Sequence, residues 1–129
     1  MVIPIEKWKW HGRAAHCCIG QWCRFHLATT VGKYLISTIG EYVHPGHSNG
    51  SEQAEAEWIR NNWPGEDVGC DRKYETMVFL AGKRCRFPEC GCGIPALKNG
   101  IELAGVGYNT AGEATKGHMR ICRAWAKRD

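Results

Sequence analysis

Three cysteines fall within eight residues in the segment Cys85-Arg-Phe-Pro-Glu-Cys90-Gly-Cys92. Thiols this close together, spaced by Gly and Pro that let a backbone curl, suit Zn²⁺, which takes four Cys or His ligands in a tetrahedron with thiolates about 2.3 Å away. Three of those ligands are local, so a fourth has to arrive from elsewhere in the chain. His118 and Cys122, four residues apart, share one face of any helix that contains them, and either completes the set. Cys70 is a further candidate for the fourth position. Ligation rich in thiolate is typical of closed, structural sites, so the expectation is a structural zinc held by Cys85, Cys90, Cys92 and one helix residue. The competing reading is a mixture of buried thiols and disulfides, since Cys is among the most often buried residue types.

A second group, His16-Cys17-Cys18 followed by Cys23 and His26, has the composition of a metal site but not the geometry. In a regular strand Cys23 and His26 differ by an odd number and point to opposite faces, so one ion reaches both only across a bulge or a strand end. The reading adopted is Cys23 in the core and His26 on the other sheet face. His44 and His47 read as surface residues. Catalytic motifs are missing: the chain has no GxSxG, no GxxxxGK[ST] and no HExxH, and GIELAGVG lacks the Lys and Ser/Thr of a phosphate loop. Glu89 is the carboxylate beside the Cys loop that a hydrolytic zinc would need. A zinc- or thiol-dependent enzyme therefore ranks below a binding protein.

The elements that position these residues follow from periodicity. Residues 1–20, punctuated by Pro4 and Gly12, read as an irregular arm with one short strand around Lys7–Trp10. In QWCRFHLATT, Cys23, Phe25 and Leu27 alternate with Trp22, Arg24 and His26, which is strand spacing. Val31-Gly32-Lys33 reads as a turn, and KYLISTIGEYV as the returning hairpin strand. Ser51 caps a helix over EQAEAEWIRNNW, which Pro64-Gly65 ends. RKYETMVFLAG alternates Tyr74, Thr76, Val78 and Leu80 with Glu75, Met77 and Phe79, a third strand. Lys83 to Gly100 reads as a loop, and IELAGVGY as a short strand. A last helix is capped by Thr110 with Glu113 at the capping-box position, with an inward stripe of Ala114, His118, Ile121, Cys122 and Trp125. Its outward side carries Lys116, Arg120, Arg123 and Lys127.

Length and composition bound the whole. A chain of 129 residues has room for one core, and Ile, Val, Leu and Phe total only 23 of them, so eight Cys and six Trp must supply much of the bulk. A net charge of +4 permits an acidic partner without demanding nucleic acid. The basic residues gather at both ends and the acids in the middle. The start, MVIPIEKWKWHGRAAHCC, lacks the pattern of a secretory signal, and no apolar run approaches the roughly 20 residues of a membrane span. The expectation is a soluble protein of the cytoplasm that makes no membrane contact.

Two segments together carry a resemblance: KYETMVF from Lys73 to Phe79 and YNTAGEATKGHMRIC from Tyr108 to Cys122. An ETMVF strand followed by a Tyr-x-Thr-x-x-Glu-Ala-x-x-Gly-His helix resembles a group of small proteins encoded by tailed bacteriophages and prophages. The match covers about the second half of the chain, with the STIGEY strand at Ser37 to Tyr42. The group has no assigned chemistry, so the resemblance implies an origin and a fold. It also implies that His118 serves the fold, because similar proteins carry the Gly-His pair without a cysteine loop, and this leaves Cys122 as the fourth ligand.

Together these readings predict one α+β domain over 1–129, an arm at 1–20 and a core at 21–129. The core is expected to hold a small antiparallel sheet of three to four strands, two packed helices and a zinc-stapled Cys-rich loop. The leading functional expectation is a phage-type accessory protein that binds a host or phage macromolecule, acting in the host cytoplasm if phage-encoded. The second is a nucleic-acid-binding protein that meets phosphates with Lys116, Arg120, Arg123 and Lys127 and stacks bases on Trp8 and Trp10.

Overall fold

A computed structural model describes residues 2–11, 23–42, 57, 61, 68, 72–84, 95–98 and 101–128. Among these residues, after a 3₁₀ turn at Ile5–Lys7, come six strands and one helix: β1 Lys9–His11, β2 Cys23–Val31, β3 Tyr34–Tyr42, β4 Tyr74–Arg84, β5 Pro95–Leu97, β6 Ala104–Tyr108 and α1 Ala111–Ala126. The strands form one antiparallel sheet in the order β1-β2-β3-β4-β5, with β6 also pairing with β4.

The β2–β3 hairpin closes over Gly32-Lys33, with Val31 opposite Tyr34. Gly32 takes φ 60°, the conformation that a tight two-residue hairpin turn asks of its first residue and that costs glycine least. The long strand β4 then lies against β3, with Ile36 opposite Val78 and Thr38 opposite Thr76. Its alternation sends Tyr74, Thr76 and Val78 to the face that α1 covers. Thr110 caps α1 as its side-chain oxygen accepts from the Glu113 backbone N–H at 3.1 Å, while its hydroxyl donates to Glu113 Oε1.

The helix packs across β2, β3, β4 and β6, and the main core lies beneath it. Trp8, Val31, Tyr34, Ile36, Val78, Cys122, Trp125 and Ala126 form one cluster, and Tyr74, Tyr108 and Ala114 form a second. The Tyr34 and Trp125 rings meet edge to face, centroids 4.7 Å apart. On the opposite sheet face Ala28, Leu35 and Phe79 are buried too, so β3 is enclosed on both sides.

This architecture corrects the expected one. Among the described residues the sheet has six strands where three to four were expected: the short strand read in the arm around Lys7–Trp10 joins the sheet as β1 at Lys9–His11, and β5, only three residues long, lies inside the span read as a loop. One helix packs on the sheet among the described residues, where two were expected. The segment read as the other helix lies outside the described residues apart from Glu57 and Asn61, both exposed and helical. No zinc staple fastens helix to sheet among the described residues. Among the described residues no three His, Cys, Asp or Glu side chains gather where they could hold a metal. Aromatic packing and a buried chain of hydroxyls around His118 fasten it instead.

Candidate functional site

Among the described residues, the functional side chains expected in the second half of the molecule sit on α1, and the helix sorts them by face. Pointing into the sheet are Ala114, Gly117, His118, Cys122, Trp125 and Ala126. Pointing away are Lys116, Arg120, Arg123 and Lys127, all exposed.

His118 is fully buried. Its Nε2 lies 2.8 Å from Thr29 Oγ1 and its Nδ1 lies 2.7 Å from Thr38 Oγ1, which in turn lies 2.6 Å from Thr76 Oγ1. A neutral imidazole has one N–H and one lone pair, and hydroxyls both donate and accept, so either tautomer satisfies both ring nitrogens. Burial holds the ring's pKa down at about 4. A neutral ring, closed off from solvent and bonded at both nitrogens, has no site left for a substrate proton. His118 therefore joins β2, β3 and α1, and its chemistry is structural.

Cys122 is one turn further along the same face, fully buried in the main cluster. Burial pushes its thiol up to about 12, against weaker opposing pulls from a Thr29 hydrogen bond and the Arg123 charge. This setting favours the protonated thiol over the thiolate that attacks an electrophile. Cys23 behaves likewise: it is buried at the start of β2, and burial is the main reason its thiol is raised to about 12. Neither forms a disulfide. The other proposed ligands, Cys85, Cys90 and Cys92, lie outside the described residues, as do Cys70, Glu89, His16, Cys17, Cys18, His44 and His47. His26 is on the sheet face opposite Cys23, and its Nε2 reaches back to the Cys23 carbonyl oxygen at 2.6 Å.

The outward face is different in kind. Lys116, Arg120, Arg123 and Lys127 follow one another at helical spacing and, with Thr115, Met119 and Ala124, line a shallow depression along the helix. Among the described residues none of the four forms an ion pair. Arg128 extends the stripe, its guanidinium 4.4 Å from the centre of the Trp125 ring. The two tryptophans expected to stack on bases separate. Trp8 is buried, its indole N–H donating to the Ile3 carbonyl, whereas Trp10 is 53% exposed with its ring 6.3 Å from that of His118.

One constellation escaped the sequence reading. Glu41, near the end of β3, is buried at φ 57°, a backbone conformation that non-glycine residues rarely adopt. The Tyr74 hydroxyl donates to its Oε2 at 2.9 Å. Burial, then the Glu41 carboxylate, raises the Tyr74 phenol above its usual range, so it stays a donor. The one sequence sign is Gly40: a Cβ there would fall 2.1 Å from the Tyr74 ring. Among the described residues no helix is long and apolar enough to cross a membrane. No protein-family model matches the chain, and no curated protein and no solved structure matches it.

Proposed function

We propose that the protein is a small accessory protein that works by binding a macromolecule, and that the outward face of α1 is its docking surface for the phosphate backbone of nucleic acid. The observation that carries this reading is the stripe of four exposed cations, unpaired among the described residues, on a helix whose other face is locked into the sheet. At 1.5 Å per residue the stripe from Lys116 to Lys127 runs about 16 Å, long enough to follow several phosphates. Backbone contacts of this kind carry little sequence information, so the binding is of low sequence selectivity. Among the described residues Trp10 is the aromatic ring exposed enough to stack on an unpaired base. The phage-like segments at Lys73–Phe79 and Tyr108–Cys122 support an accessory role in the cytoplasm of an infected host. The two described thiols and the buried imidazole, all held in unreactive states, favour binding over catalysis.

Fluorescence anisotropy of labelled single- and double-stranded oligonucleotides between roughly 50 and 200 mM salt tests the reading. About four neutralised phosphates give a log–log slope of about −3 to −4 on duplex DNA, and each Lys or Arg changed to Gln reduces the slope by about one. Binding that ignores salt, or its absence with both strand types, would sink the phosphate reading and leave an acidic protein surface as the alternative ligand.

A further inference from the structure

Among the described residues the strand β6 ends the sheet beside β4, and its outer edge carries a self-complementary pattern. In the β3–β4 ladder the Glu41 N–H donates to the Lys73 carbonyl and the Ala81 N–H to the Lys33 carbonyl, so odd-numbered residues of β4 turn their backbone groups toward β3. Tyr74, Thr76 and Val78 therefore turn theirs toward β6, where their partners are Tyr108, Val106 and Ala104. By the same alternation Gly105 and Gly107 aim their N–H and C=O groups outward, away from β4. Both glycines and the Val106 between them are exposed, and among the described residues β4 is the only strand that β6 pairs with. Edge strands are commonly blunted by Lys, Pro or a bulge, and AGVGY has neither Lys nor Pro. At the opposite edge of the sheet β1 is three residues long and begins with an exposed Lys9.

The side chains beside the two glycines make the edge specific. On the face away from α1, the Glu102 carboxylate lies over Gly105, where a Cβ would meet its Oε1 at 2.3 Å, and the Arg72 side chain lies over Gly107, where a Cβ would meet its Cγ at 2.5 Å. Both side chains belong to exposed residues. A second β6 laid antiparallel about Val106 would set Gly105 opposite Gly107 of the other copy, with their outward N–H and C=O groups in hydrogen-bonding register. It would also set Glu102 of each copy opposite Arg72 of the other. On the α1 side, Val106 would meet its own equivalent and cover surface now 41% exposed.

We infer that the free edge of β6 is a homodimer interface, in which two copies join their sheets through an antiparallel β6–β6 pair locked by reciprocal Glu102–Arg72 ion pairs. The two-fold axis of such a pair is perpendicular to the sheet, so both α1 helices lie on the same side of the joined sheet. Glu75, opposite Gly107 in the β4–β6 ladder, gains as well: its carboxyl is raised by burial and then by the Glu102 charge, and the second Arg72 would offset that repulsion.

Sedimentation velocity of the full chain from roughly 1 µM to 1 mM, a range that brackets micromolar association, tests this directly. The expected result is a monomer–dimer equilibrium. Glu102→Arg alone and Arg72→Glu alone each place like charges opposite one another twice per dimer, and each weakens association about tenfold or more. The double variant E102R/R72E restores it. Circular dichroism and thermal melts of the monomers confirm that these exposed substitutions leave the fold intact. A chain monomeric at the highest concentration, a dimer indifferent to both single reversals, or a double variant that fails to recover would overturn the inference.

Discussion

The two faces of α1 share sixteen residues and one backbone, yet they solve opposite problems. The inward face buries a titratable ring and a thiol, and it manages both by neutralising them: His118 is bonded at each ring nitrogen by threonine hydroxyls, and Cys122 stays protonated in an apolar cluster. The outward face keeps four cations in water with no acid paired to them among the described residues. A polar group on the first face is there for the fold and punishes removal. One on the second contributes little to the fold and leaves its charge available to a ligand. Chemical type is a poor guide to function on this helix, since its two candidate metal ligands, His118 and Cys122, are packed in the core and its plainest solvent-facing charges form the candidate site.

The largest expected effect is on the inward face. His118→Leu removes the partner of Thr29 and Thr38 and strands their hydroxyls in the core. Such a change costs about 3–5 kcal/mol, the upper range for breaking a buried hydrogen-bond network. Urea unfolding should show a midpoint shift without a compensating change elsewhere, and a loss under about 1 kcal/mol would mean that the hydroxyls do not depend on the ring.

Acid should act through the same residue. The native ring has its pKa lowered from 6.5 to about 4, so between those values the unfolded chain takes up a proton that the native ring refuses. Stability due to this group is therefore complete above pH 6.5 and falls as pH drops toward 4, by about 3 kcal/mol in all. Comparing the pH dependence of the native chain with that of His118→Gln isolates the effect from the carboxylates. Equal slopes in the two proteins would show that the ring is not kept neutral.

Gly117→Ala should be smaller. The added Cβ would lie 2.2 Å from the Tyr108 ring, which must shift, and overpacking of this kind costs about 1–3 kcal/mol. The buried Tyr108 hydroxyl has no hydrogen-bond partner among the described residues, so none of them supplies a polar anchor opposing the shift. An unchanged melting temperature would mean that the helix and β6 can part at this point without cost.

Local rules revealed α1 and the hairpin, and distance concealed the site. Thr110 and Glu113 announce the helix start because capping is settled within four residues, and the ETMVF alternation is visible because a strand repeats every second residue. The outward stripe was legible for the same reason. The partners of His118 were not: Thr29 and Thr38 lie 89 and 80 residues away, and nothing in a Gly-His pair says which hydroxyls a sheet will deliver to it. Trp8 and Trp10 share a strand parity, yet one is covered by the core and the other lies at the sheet margin, a difference set by where the arm enters the sheet. The zinc expectation rested on the loop of Cys85, Cys90 and Cys92, which lies outside the described residues, and on two helix residues sharing a face. They do share it, but the face is inside the core.

The measurement that tests the division most directly takes all four outward cations at once. Lys116, Arg120, Arg123 and Lys127 changed together to Gln should leave the melting temperature within a few degrees of the parent, since exposed substitutions typically shift stability by no more than about 0.5 kcal/mol each. The same protein should lose oligonucleotide binding and its salt dependence. A variant that melts far below the parent, or one that still binds nucleic acid with an undiminished salt slope, would contradict the assignment of fold to one face of α1 and ligand to the other.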